Sequence, residues 1–333
     1  MTELWRLPDS LLAKILDYFS YAKLITCLQL VNSKWQQQIR LVCASRYTTL
    51  SIRCTCVTSH ASKVRVYDED FQHREEIWLD IDHRQSIEPL LNLATNCAGL
   101  DTVTMDYCFL VRLFSLPERH TLQWSSVRNL LVAASPANSN EHVKQPDAEL
   151  IGKAFPALEC FDLVLGQVPC KAEFAPLLCC LCRAQPQLQL GVVAMSWHDQ
   201  SCLQSLGSLT NCPVTTLTLH GSPSQPLLLN MADLQGVAAT LQQLSIGSWL
   251  VVAGPAPSVI FKSVTEIVLS GSTVTDADNF VNCFSVEALK KVEFWTNCKF
   301  SDSKGVPMTR EQFADFVRDT FPDARCRVEG SFQ

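Results

Sequence analysis

Hydrophobic positions along this chain keep two rhythms, and the change falls near residue 45. Before it, Leu11, Leu12, Ile15, Leu16 and Phe19 recur at helical spacing behind Pro8, a residue suited to a first helical turn. Ser20 can cap a second helix bearing Leu24, Ile25, Leu28 and Val31. Asn32 or Ser33 can cap a third, with Trp35, Ile39 and Val42 at i, i+4 and i+7. Three short amphipathic helices bury little surface among themselves, so this unit predicts either a docking module completed by a partner or an N-terminal cap on the rest of the chain.

Beyond residue 45 the recurring frame is apolar–x–x–apolar–x–apolar, the signature of short strands. It reads YTTLSI from Tyr47, REEIWL (a weaker copy) from Arg74, LDTVTM from Leu100, VRNLLV from Val127, LECFDL from Leu158 and LGVVAM from Leu190. Further copies are VTTLTL from Val214, LQQLSI from Leu241, VTEIVL from Val264 and LKKVEF from Leu289, with FPDARC from Phe321 as a possible last one. Amphipathic helical runs fall between frames: Ile87 to Cys97, Leu234 to Leu241, and Phe313 to Phe321, the last behind a Thr309-x-x-Gln312 capping box. The ninth frame position is usually a small hydrogen-bonding residue: Thr55, Asp82, Cys108, Ser135, Ser222, Ser272 and Asn297. Gly166, His198 and Trp249 are the exceptions. Such a residue is needed where a strand turns away and leaves backbone groups to be satisfied.

The N-terminal residues carry a resemblance. Leu7-Pro8, Leu11, Ile15-Leu16, Phe19, Leu24, Val31 and Lys34-Trp35 resemble the F-box over roughly residues 5–45. Ala22-Lys23 stands where that family often has an acidic residue. The resemblance implies docking to the Skp adaptor of Skp–cullin–F-box ubiquitin ligases through Leu7, Pro8, Leu11, Ile15, Leu16, Phe19, Val31 and Trp35. Some of these eight must pack the module internally, and the sequence does not separate the two roles. The frame with its polar ninth position resembles a degenerate leucine-rich repeat of the cysteine-containing kind; an irregular α/β domain or another helical repeat are the competing readings.

The expected architecture is therefore α/β: a small three-helix F-box at 5–45, then a leucine-rich-repeat solenoid at 46–333 of about ten to eleven degenerate repeats. Parallel strands would line its concave face, with helices or irregular turns on the convex one. The third, fifth and seventh frame positions then point outward. They offer Trp78, Asp80, Asp106, His220, Glu293 and Trp295 as target-binding residues, with the two tryptophans as natural anchors. Polar inserts at 135–149, 222–226, 254–258 and 301–307 are expected at the repeat edges.

Composition narrows the field. With 333 residues and 47% hydrophobic content a large core is available. A net charge of −6 without a basic cluster argues against nucleic-acid backbone or membrane-surface binding. No run approaches 18 unbroken apolar residues, and Trp5, Arg6 and Pro8 interrupt any leader-like start. Sixteen cysteines inside apolar segments read as reduced, buried thiols in a cytoplasmic or nuclear protein. Cys179 and Cys182 form a lone C-x-x-C without a second pair, so neither a metal nor any other cofactor is expected. Ser196, His198 and Asp199 lack a nucleophile elbow, so the chain is read as non-catalytic. The alternative to a ligase adaptor is a repeat-protein scaffold or inhibitor that binds proteins outside any ligase.

Overall fold

The computed structural model describes residues 7–19, 24, 33–54, 61–67, 75–80, 97–115, 123–134, 148–165, 175–197, 213–254, 259–295 and 297–329. The chain is α/β, with mostly parallel sheet and few helices. It divides into two compact units, 1–133 with 142–161, and 134–141 with 162–333. No helix among the described residues is long and apolar enough to cross a membrane.

The first unit opens with α1 (Asp9–Leu16) and α2 (Ser33–Arg46). Trp35, Ile39, Val42 and Cys43 are buried along α2, at the spacing the sequence predicts. Then come β1 (Thr49–Cys54), β2 (Ala61–Tyr67), β3 (Glu75–Asp80), β4 (Thr102–Asp106) and β5 (Asn129–Ala134). Strands β1, β4 and β5 are parallel neighbours, while β1, β2 and β3 form an antiparallel meander. REEIWL is thus a strand, but its partner is β2 in an antiparallel ladder rather than a repeat strand. Helices α3 (Tyr107–Ser115) and α4 (Ala148–Ala154) lie between frames. The division between units falls within β6 (Cys160–Leu165).

The second unit adds α5 (Ala175–Ala184), β7 (Gln189–Trp197), β8 (Val214–Gly221), β9 (Leu227–Asn230), β10 (Gln243–Gly247), β11 (Trp249–Val252) and β12 (Glu266–Ser270). It continues through β13 (Thr273–Thr275), α6 (Ala277–Asn282), β14 (Lys291–Trp295), β15 (Lys299–Ser301), β16 (Pro307–Met308), α7 (Arg310–Thr320) and β17 (Arg325–Glu329). Strands β7, β8, β10, β12, β14 and β17 pair in that order, all parallel.

A second sheet, β9-β11-β13-β15-β16, runs beside these and is parallel except for its last strand. The frame did not anticipate it, since each of its strands is two to four residues long. Sharp corners join the sheets: Ser248 (φ 63°) lies between β10 and β11, and Gly271 (φ 60°) begins the passage from β12 to β13. This left-handed backbone suits glycine and costs a serine on the order of 1 kcal/mol.

One backbone device recurs at the frame spacing. The second-position carbonyl of one frame accepts N–H bonds from the second and third positions of the next. Thr48 O receives Asp101 N and Thr102 N at 2.9 and 3.1 Å, and Asp101 O receives Arg128 N and Asn129 N, both at 2.9 Å. In the second unit, Gln242 O receives Thr265 N and Glu266 N at 2.8 and 3.2 Å, and Thr265 O receives Lys290 N and Lys291 N at 2.8 and 3.0 Å.

Two ninth positions, Ser272 and Asn297, also bond backbone of a neighbouring frame, whereas the Ser222 hydroxyl pairs with that of Ser224 at 2.8 Å. Buried Ser272 donates to Ile246 O at 3.2 Å and accepts from Trp249 N at 3.2 Å. Asn297 Oδ1 accepts from Gly271 N at 2.8 Å. Thr55, Asp82 and Ser135 lie outside the described residues.

The Thr309–Gln312 capping box forms as read: Gln312 N donates to Thr309 Oγ1, and Thr309 N donates to Gln312 Oε1. The 234–241 run is not an α-helix; it is a 3-10 turn, Met231–Leu234, followed by turns, with Leu234, Val237 and Leu241 buried. Of the 87–97 run only Cys97 lies among the described residues.

Candidate functional site

Two surfaces gather the residues singled out by sequence. On the helical one, the Pro8 carbonyl accepts from Leu11 N and Leu12 N, so the Leu-Pro pair starts α1. Lys34 Nζ donates to Leu7 O at 2.9 Å and pairs with Asp9 at 2.8 Å, joining the beginning of the motif to its Lys-Trp end. Arg46 Nη1 donates to Phe19 O at 2.9 Å and ties the end of α1 to the end of α2.

Burial then sorts the eight residues. Leu16 and Trp35 are core, with Leu12, Leu24 and Ile39. Pro8 is exposed, Leu11 is 45% exposed, and Leu7, Ile15 and Phe19 are half-buried. Tyr18, which the sequence pattern did not single out, is 90% exposed. Val31 lies outside the described residues.

The other surface is the strand face. Trp78 and Asp80 lie on β3, in the antiparallel meander. Asp106 is buried at the end of β4, so its carboxylate is not on an open face. His220, Glu293 and Trp295 lie in one parallel sheet of the second unit, on β8 and β14 with β10 and β12 between them, in rows set by register. One row is Thr216, Gln243, Glu266, Lys291 and Arg325; the next is Thr218, Ser245, Val268, Glu293 and Arg327. His220, Gly247 and Ser270 make the third, with Trp295 at the corresponding end of β14.

Gly247 leaves a dip in that third row. A Cβ there would lie 2.4 Å from His220 Nδ1 and 2.8 Å from Ser270 Oγ, so only glycine lets the imidazole and hydroxyl close over the strand. Burial lowers the His220 pKa from the ordinary histidine value, favouring a neutral ring at pH 7. Its contribution to stability is therefore present above the unfolded-state value and lost as pH falls through the lower native one. The His220 ring protons should titrate below about 6.5 by NMR; a midpoint at or above that value would contradict the desolvated placement.

In the first two rows, Lys291 Nζ lies 2.7 Å from Glu266 and 2.9 Å from Glu293, whose side chain is largely covered. Hydrogen bonds that the ammonium donates to Glu266 and then Glu293 hold it above its usual pKa. The arrangement offers hydrogen bonding, an aromatic side chain and a fixed charge cluster, which suits recognition of a polypeptide.

The sequence frame missed parts of this surface. Strand β17 starts two residues later than FPDARC implies, which sets Arg325 beside Lys291 and Arg327 beside Glu293 in the outward rows, with Cys326 and Val328 inward. Irregular pairing in β7 places Gly191 opposite Thr216, turning Val192 inward, where it is buried. Asp162 covers Gly191, and burial raises its carboxyl pKa. Ser196 belongs to β7, and His198 lies outside the described residues. Cys180 and Cys182 sit on α5, exposed and half-buried. Among the described residues, no three His, Cys, Asp or Glu side chains gather as metal ligands would.

Comparison with models of known protein families finds no match, and no curated protein matches the chain.

Proposed function

We propose that the chain is the substrate-recognition adaptor of a cullin-type ubiquitin ligase, working in the cytoplasm or nucleus. Residues 5–45 act as an F-box that docks the Skp adaptor. Residues 46–333 act as a leucine-rich-repeat solenoid whose strand face binds a target protein. The observation that carries this reading is the meeting of Leu7-Pro8 with Lys34-Trp35 through the Lys34 bonds, with Leu11, Pro8, Ile15 and Phe19 left partly open beside a buried Leu12–Leu16–Trp35 core. Covering the open half of a leucine contributes about 1 kcal/mol, so several such residues suffice for a specific contact. The chain itself performs no chemistry in this scheme. It raises the local concentration of target beside the conjugating machinery.

Co-purification tests it. Wild-type chain should bring down a Skp adaptor, and Leu11→Asp should reduce capture by about tenfold or more, because a carboxylate at a buried contact is costly. Unchanged capture by Leu11→Asp, or none by wild type, would sink the proposal. Cullin in the same sample separates a ligase from an adaptor-binding scaffold.

A second reading, a repeat-protein scaffold or inhibitor with a helical cap, has one observation in its favour. The end of α2 lies directly against the turn that leads into β4, with Gly99 at the Ala44 carbonyl, as a capping helix would.

A further inference from the structure

Strand β17 ends the parallel sheet of the second unit, and no strand among the described residues pairs with its far side. Arg325 N donates to Lys290 O at 2.8 Å, so the alternation of a strand points the N–H and C=O groups of Cys326 and Val328 away from β14. The second sheet differs: its last parallel strand β15 is closed by the antiparallel β16, which begins at Pro307. Side chains at the open edge fall into two rows. Arg325 and Arg327 lie exposed on the outward face, while Val328, registered beside fully buried Phe294, is still 44% exposed. The apolar layer thus runs past its last covered residue.

We propose that this edge accepts an extended acidic segment of another polypeptide as an added strand. Acidic side chains alternate on the segment's outward face to meet Arg325 and Arg327, and apolar ones between them cover Val328. Main-chain bonds to Cys326 and Val328 supply the pairing, and the two arginines select its charge. A second copy of the chain fits less well: antiparallel pairing centred on Arg327 sets two guanidinium groups side by side, and pairing centred on Val328 leaves Arg325 unmatched. This inference is independent of the ligase reading.

The probes are nine-residue peptides alternating valine with glutamate or with lysine, titrated against the full chain by calorimetry. The glutamate peptide should bind and the lysine peptide should not. Val328→Pro removes one outward N–H without touching the bonds to β14, and it should weaken glutamate-peptide binding about tenfold with melting unchanged. Arg325→Glu with Arg327→Glu should reverse the preference, a readout that does not depend on the proline variant folding. Retained binding by Val328→Pro with normal melting, or retained glutamate preference in the charge-reversed variant, would overturn the proposal. So would a dimer in sedimentation without peptide that Val328→Pro dissolves, which would assign the edge to a second copy.

Discussion

Phe313→Ala should lower the unfolding free energy of the second unit by about 3–5 kcal/mol, the largest effect expected of any single substitution here. Phe313 is fully buried on α7 and stacks on Phe300 of the second sheet, with ring centroids 3.9 Å apart and planes at 10°. Edge contacts join Phe294 of the parallel sheet to Phe313 at 5.4 Å and to Phe300 at 5.3 Å. One side chain therefore links both sheets and the helix, and its removal opens a void that none of the three can fill alone. Aromatic geometry adds about 0.5–1.5 kcal/mol per pair beyond the area buried. Urea unfolding followed by fluorescence measures the loss. Val286→Ala, at a side chain already 50% exposed, should stay within about 0.5 kcal/mol and serves as the control. A loss below about 1 kcal/mol for Phe313→Ala would mean that the aromatic node does not hold the layers together.

Gly99→Ala comes second. A methyl group at Gly99 would lie 1.7 Å from the Ala44 carbonyl oxygen and 2.7 Å from its carbon, both backbone atoms that no rotamer change can move. Either the end of α2 or the turn before β4 must shift, at an expected cost of about 2–3 kcal/mol to the first unit. Hydrogen exchange should show the loss as faster exchange along α2 and in the Asp101 and Thr102 amides that bond Thr48 O. Wild-type protection in the variant would show that the turn gives way freely and that α2 is not braced by it. If the helices are braced, a partner held by α1 and α2 keeps a fixed orientation to the first strands, which is useful in a scaffold and in a ligase adaptor alike.

The sequence frame located strands by their inward row of apolar residues, with a polar ninth residue as at Val264–Leu269 or without one as at Leu241–Ile246, where Trp249 stands. It lost register where a residue outside the strand supplied the apolar signal. Phe321 is buried before β17 and drew the last frame two residues too early. REEIWL carries the same apolar alternation as the parallel strands, because alternation says nothing about strand direction. The second sheet was invisible because segments such as TVT and KFS are too short to show a period. For the helical surface, spacing identified the apolar residues but not their side. Leu11 and Leu12 are adjacent in sequence, yet one is open and the other sealed.

The paired N–H bonds onto successive frame carbonyls have a consequence for how this chain can change over time. These links from one frame to the next are made by main-chain atoms, which substitution does not alter. What remains to be kept is apolar character at a few inward positions and a small polar residue at the corner, and many residues meet either demand. A chain built in this way can drift far in identity while its strands continue to stack, and likeness to other sequences then fades well before the architecture does.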